Sequence, residues 1–482
     1  MRKILLLGLL STTVAAPGGA TTLREALTQA YQTSPAISNA RARLRSSDED
    51  APIARAQGLP SISALGNYTE NVRRSTNDQT LPDRLVNATL RGTVPIYAGG
   101  SIRNSIRAAD ARVVVGRQSL RSTENQVFVD TVTAYMDVIR DSATVDLYRS
   151  NLKLLSTTVD YARSGFKAGD LTRTDIAQAS ARREIARGQL ASALAQLDAS
   201  REVYLQVVGQ ADDDLQAPGA LPPIPATADQ AVSIAFDRNP DLAATLAARQ
   251  ATRYGVRVAS ATVAPRISVT AEAGYSNYFD TLGGSFTPLY RQTDRTASVG
   301  VQAVIPLFQG GQPAARVRKA QADDSAALEQ ITLAERAIVA QTRASYWRYG
   351  GANRVVAASR QAIQANEQAL AGVRAESRVG SRTVIEVLNA QQELLNARVQ
   401  LAAAERDAYV AAYQLLASMG TLDPGAVTAP GTEVYDPTVN GKRVRRIYID
   451  FDRDPTPRPV APTTRNVPMN SRLLAEPATP DN

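Results

Sequence analysis

Val94-Pro95-Ile96-Tyr97-Ala98-Gly99-Gly100 returns as Ile305-Pro306-Leu307-Phe308-Gln309-Gly310-Gly311, 211 residues further along the chain. The same offset carries Tyr135 to Tyr346, Gly169 to Gly380, Thr172 to Thr383 and Gly209 to Gly420. Upstream, an offset of 205 carries Ala26, Pro35, Pro60 and Ile62 to Ala231, Pro240, Pro265 and Ile267, so the second copy holds six extra residues at the place that lies between Tyr68 and Val86 in the first copy's frame. A constant offset through so many anchors marks an internal duplication. It is not a solenoid, whose repeats run to roughly 20–50 residues.

Each copy reads as helix, strand, loop, strand, long helix, tight turn and shorter helix, which makes a mixed α and β chain. The first repeat covers 21–210, with strands at about 61–69 and 86–94 and long helices at about 101–165 and 172–208. A linker, 211–228, precedes the second repeat at 229–421, with strands at about 266–276 and 296–305 and long helices at about 312–379 and 383–420. The remainder, 422–482, belongs to a tail that from Thr421 onward holds ten of the 25 prolines and reads as partly disordered.

Period-two alternation is clearest in the second copy. Ile267, Val269, Ala271, Ala273 and Tyr275 alternate with Ser268, Thr270, Glu272 and Gly274, and Ala297, Val299, Val301, Ala303 and Ile305 with Ser298, Gly300 and Gln302. Strands of ~9–11 residues with one apolar face suit a soluble hairpin and also a tilted bilayer crossing. The helices favour the second reading. From Ser101 to about Arg163 there is no proline and almost no glycine, which predicts a rod of ~95 Å. Its counterpart from Gln312 contains Gly350-Gly351, where a local unwinding or bend is expected. Helices over Pro35–Gly58 and Arg173–Val208 would lie end to end along such a rod. Four strands cannot close a barrel or remove their own edges. Two chains sharing eight strands or three sharing twelve are required, with the trimer preferred for a conducting lumen.

The sequence contains no histidine and no cysteine. That excludes disulfides, thiol nucleophiles and any histidine-based triad or pH switch, and no cofactor or metal is expected. Ser150-Asn151-Leu152-Lys153 matches a Ser-x-x-Lys pattern but lies within a rod with no companion motif, so the chain reads as a non-enzyme. Of 54 basic residues only five are lysines, and the formal charge of +8 does not point to nucleic acid. Met1-Arg2-Lys3, the apolar run Ile4 to Leu10 and small residues to Ala20 read as a signal peptide over 1–20, with cleavage after Ala16 or Ala20. The turns carry a local signature too. Gly169 and Gly380 suit the left-handed end of a helix, and Thr172-Arg173-Thr174-Asp175 and Thr383-Val384-Ile385-Glu386 fit the Thr-x-x-acid box that starts the next.

On the two Pro-x-aromatic-x-Gly-Gly junctions (Pro95, Gly99, Gly100; Pro306, Gly310, Gly311), the segment Val379-Gly380-Ser381-Arg382-Thr383-Val384-Ile385-Glu386-Val387-Leu388-Asn389-Ala390, and the end Ser418-Met419-Gly420-Thr421-Leu422, the chain resembles the TolC family of outer-membrane channel proteins. The resemblance covers about Thr22 to Leu422. It implies a homotrimer with a twelve-stranded barrel in the outer membrane of a Gram-negative bacterium, continued by a periplasmic α-helical barrel. It implies a passive exit duct for type I secretion or drug efflux, with a periplasmic adaptor and an inner-membrane transporter of the ABC or RND type as partners. By the same resemblance the two turns form a periplasmic gate. Glu386 would project into the pore, and Arg382 would link neighbouring coils through Thr174 and Asp175. Where the family carries a second acidic residue this chain has Asn389, and where it has a tyrosine before the turn glycine this chain has Ser377. A three-fold gate would then hold one carboxylate ring, which puts block by multivalent cations in doubt. The competing reading is a periplasmic coiled-coil structural or adaptor protein that never enters the membrane.

Overall fold

The computed structural model describes residues 20–73, 81–212 and 214–467. The expected signal peptide, apart from Ala20, and part of the loop between the first copy's two strands lie outside the described residues, as does the end of the tail. The first copy runs α1 (Leu23–Thr33), α2 (Pro35–Asp48), α3 (Asp50–Ala56), β1 (Ser61–Glu70), β2 (Arg84–Ala98), α4 (Ser101–Ala168) and α5 (Arg173–Val208). The second runs α6 (Ala228–Arg238), α7 (Pro240–Ser260), β3 (Arg266–Asn277), β4 (Thr293–Val304), α8 (Gln312–Arg378) and α9 (Val384–Ser418), and the tail adds α10 (Pro424–Val427) and α11 (Val439–Val444).

Matched residues start matched helices. Thr22 caps α1, with the Thr22 N–H donating to Glu25 at 2.7 Å, and Thr227 caps α6 by accepting from the Gln230 N–H at 3.2 Å. Ser34 and Asn239 cap α2 and α7, each followed by a proline in the first turn, where the missing N–H has no intrahelical partner to lose. One break was not foreseen: the helix expected over Pro35–Gly58 is divided at Glu49 into α2 and α3.

The four strands form one antiparallel meander in chain order, with β1 and β4 as its edges. Its register sorts the two faces. Ile62 and Ala64 of β1, Leu90 and Val94 of β2, Val269 and Ala273 of β3, and Val299 and Val301 of β4 share one face. Asn67, Asn87, Thr89, Arg91, Thr270, Glu272 and Ser298 share the other. Among the described residues none covers the apolar face: Ile62, Val299 and Val301 are 75%, 79% and 73% exposed. β2 runs on through Pro95, beyond the expected end at 94, and the pairing slips between Pro95 and Tyr97. Proline has no N–H for the ladder, and the bulge absorbs the lost bond.

The rods α4 and α8 have 68 and 67 residues, or ~100 Å each. Near the sheet, α2, α3 and α7 lie against them; farther away α4 pairs with α5 and α8 with α9. The expected unwinding at Gly350-Gly351 does not occur, and α8 is continuous across both glycines. Glycine costs a helix interior only ~1 kcal/mol each, and a long flanking helix propagates through that penalty.

The core sits at the waist of the rods, where Tyr31, Phe128, Tyr135, Tyr204, Leu197 and Leu415 are buried together. The duplication is visible there atom by atom. The Tyr135 hydroxyl donates to the Thr21 carbonyl at 2.8 Å, and its counterpart Tyr346 donates to the Ala226 carbonyl at 2.6 Å. Burial is unequal between copies, however. One stripe of α4 is buried from Ala108 to Ala162, whereas α8 leaves Leu333 and Trp347 59% and 66% exposed. The tail is docked along its first part. The Ala429 N–H donates to Thr28, the Tyr435 N–H to the Tyr31 hydroxyl, and Asn440 to Asp48 at 2.9 Å. Arg41 lies between the Tyr31 and Tyr435 rings, 4.7 and 4.9 Å from their centroids.

Candidate entrance and channel wall

At the ends of the rods farthest from the sheet, two tight turns close the hairpins α4–α5 and α8–α9. Gly169 (φ 89°) and Gly380 (φ 80°) occupy the left-handed region. The Gly169 and Asp170 N–H groups donate back to the Phe166 and Gly165 carbonyls, and the Gly380 and Ser381 N–H groups to the Ser377 and Glu376 carbonyls. That double bond pattern satisfies the last carbonyls of both long helices. The next helices start on their acids. Asp175 accepts from the Thr172 N–H and hydroxyl at 2.8 and 2.7 Å, and Glu386 accepts from the Thr383 N–H and hydroxyl at 2.8 and 2.9 Å.

The two tips differ in charge. Arg382 reaches Glu376 at 2.8 Å and Glu386 at 2.7 Å, a fork between the end of α8 and the start of α9. The Thr383 backbone N–H, then Arg382, holds the Glu386 carboxyl down to about 2. Hydrogen bonds from Thr172 lower the Asp175 carboxyl as well. Within one chain Arg382 therefore spends its donors on its own hairpin, while Thr174 and Asp175 occupy the first turn of α5 on the other. Ser377 lies in the last turn of α8 and contributes its carbonyl to the turn. Asn389 accepts from Arg182 of α5 at 2.8 Å, and Leu388 beside it is buried with Leu155 and Ala186. Glu376 and Arg182 were not singled out in the sequence. Arg182 lies seven residues, two helical turns, beyond Asp175 on the same face, but its partner depends on how the two hairpins align.

At the other end, Gly99 and Gly100 (φ 61° and 80°) and Gly310 and Gly311 (φ 60° and 78°) turn each second strand into its rod. The polar face of the sheet carries an ion pair between neighbouring strands, Arg91 to Glu272 at 2.8 Å. Among the helices, Asn39, Arg43, Arg112, Ser119 and Asp323 help line a groove of about 910 Å³.

The family described as outer membrane efflux protein matches residues 26–210 and 231–421, the two repeats. The outer membrane efflux protein BepC of Brucella suis is 32% identical over 407 residues, 83% of this chain and 86% of that protein. The outer membrane protein TolC of Escherichia coli is 24% identical over 412 residues, 83% of each. Among solved structures, the outer membrane protein VceC of Vibrio cholerae superposes with a TM-score of 0.71 at 21% identity, covering 83% of this chain and 96% of that one.

Proposed function

The chain belongs to the outer membrane efflux protein family, and on that premise we propose that it works as the passive exit duct of a tripartite efflux or type I secretion system. Three copies pair β4 of one with β1 of the next into a twelve-stranded barrel. The apolar face meets lipid, and the polar face with its Arg91–Glu272 pairs lines the lumen. The helical rods continue the tube into the periplasm and carry the two turns to its entrance, where Thr174, Asp175, Ser377, Arg382, Glu386 and Asn389 set the gate. A periplasmic adaptor docks on the helical hairpins, and an inner-membrane transporter of the ABC or RND type supplies the energy, since a wall and a gate of ordinary charges require no chemistry of their own.

A single observation carries this reading. A four-stranded sheet with one apolar face bare and both edges open sits at the end of ~100 Å helices. In water such a sheet is an aggregation surface; in a bilayer, closed by two further copies, it has neither exposed edge nor uncovered apolar face. Outer-membrane fractionation, heat-modifiable trimer mobility and single-channel conductance in a planar bilayer test it. Recovery as a soluble, non-conducting periplasmic protein would support the adaptor reading instead.

A further inference from the structure

Beyond Leu422 the tail runs along the helical layer toward the sheet, past Thr28, Tyr31 and Asp48. Arg55 of α3 fixes its upper course, with Nη1 donating to the Arg445 carbonyl at 2.7 Å and to the Tyr448 hydroxyl at 3.2 Å. Arg445 pairs with Asp110 of α4. Arg55 stands six residues before β1 and Asp110 nine residues into α4, so these anchors lie within about 15 Å of the strand ends. The chain then doubles back. Arg443 Nη1 and Nη2 reach the two Asp454 oxygens at 2.8 and 2.9 Å and close the base of a loop. Between the clamps, Tyr448, Ile449 and Phe451 are 64%, 70% and 88% exposed.

A fork-to-fork clamp that holds an isoleucine and two aromatics in water forgoes ~1.5–3 kcal/mol for each large apolar side chain it leaves uncovered. Their surroundings indicate what covers them. Further bare apolar side chains lie on α3, Ile53, and at the strand-to-helix junctions, Ile96, Leu307 and Phe308, the last two 93% and 89% exposed. With the apolar sheet face in hydrocarbon, this rim falls at the level of the lipid headgroups, and the loop continues it. Tyrosine next to arginine is the pairing that such an interface selects.

We propose that the tail loop between Arg445 and Asp454 is an interfacial anchor that seats Tyr448, Ile449 and Phe451 in the periplasmic leaflet of the outer membrane. The exposed Arg446 and Arg453 then meet lipid phosphates, and Asp450 and Asp452, on either side of Phe451, hold the insertion to headgroup depth. The inference rests on the outer-membrane reading and adds to it a second attachment outside the barrel.

The test uses the full-length channel with Trp347→Phe and Phe451→Trp, which moves the only indole of the chain into the loop. In phosphatidylethanolamine–phosphatidylglycerol vesicles its emission is expected to shift to shorter wavelength. Lipid brominated on the acyl chains should remove most of the emission, and aqueous acrylamide should lose access to the indole. An indole that keeps its aqueous emission and ignores brominated lipid overturns the proposal. So does one shielded from acrylamide yet untouched by brominated lipid, which would mark a seat against a second copy of the chain. Conductance is recorded on the same vesicles. Conducting vesicles with an unquenched indole sink the loop proposal alone, whereas correctly assembled protein that never conducts sinks the outer-membrane reading and the loop proposal with it.

Discussion

The Arg182 guanidinium donates to the Asn389 side-chain oxygen across 2.8 Å and ties the α4–α5 hairpin to α9. Leu388, the next residue, is buried against Leu155 and Ala186. A polar bond and an apolar contact thus fasten the two coiled coils at one level, close to the tips. The exposed bond is worth ~1 kcal/mol or less, while truncating a buried leucine costs ~2–5 kcal/mol. Arg182→Ala should therefore raise single-channel conductance and antibiotic leakage slightly, and Leu388→Ala should raise both further. Equal, unaltered traces from both variants would remove this contact from any account of the entrance.

Arg382 spends its charge on Glu376 and Glu386, so the single acidic ring expected at the gate is already paired. Block by a trivalent cation should be weak in the natural protein and stronger in Arg382→Ala. Adding Glu386→Gln to that variant should reverse the gain. Planar-bilayer titration with the cation measures all three, and a gain that survives Glu386→Gln would place the block elsewhere.

The same pair fixes the pH response of the tip. Glu386 is lowered from 4.5 to about 2, with the Thr383 N–H as the largest cause and Arg382 next. A depressed carboxyl stabilises the folded state above its ordinary value, and that contribution disappears only as pH falls through about 2. Entrance conductance should stay level from neutrality down to pH 4.5. In Arg382→Ala the loss should be complete at a higher pH, still below the ordinary carboxylate range, because the Thr383 bonds persist. A natural channel whose entrance conductance already changes near pH 5–6, above the ordinary carboxylate range, would contradict this.

The duplicated tyrosines offer an internal control. Tyr135 is fully buried and its hydroxyl serves two carbonyls, Thr21 and Gln216 at 2.8 and 2.6 Å. Tyr346 is less buried and serves Ala226. Tyr135→Phe should cost ~1 kcal/mol, the worth of the hydrogen bond its buried side chain gives up, and Tyr346→Phe measurably less. The order of trimer dissociation temperatures on heated gels reads the difference.

Trp347 reports on assembly. It stands 66% exposed on α8, where no described helix covers it. Its emission should move to shorter wavelength when detergent-dissociated chains form trimers. An identical spectrum in both states would mean that α8 is not the face another copy covers.

The local chemistry determined most of the architecture. Duplication, the strands' alternation, the paired helix caps and both turn glycines are written in spacings of a few residues, and the structure keeps each of them. Gly350-Gly351 misled for the same reason: propensity is a local quantity, and the cooperativity of a 67-residue helix is not. Pro95 likewise read as a strand end because a missing N–H is a local fact, whereas the bulge that accommodates it needs the neighbouring strand β3.

What only the tertiary structure decided is which distant residues meet. Arg182 finds Asn389, 207 positions away, and Arg55 finds Tyr448, 393 away, because hairpins and tail stop sliding at one alignment. Helical periodicity tells which face a side chain occupies but leaves its height along a partner open. That height is fixed by the packed waist around Tyr31, Phe128 and Tyr135, and from it follow the place of the tail loop beside the sheet and the level at which the coils are fastened.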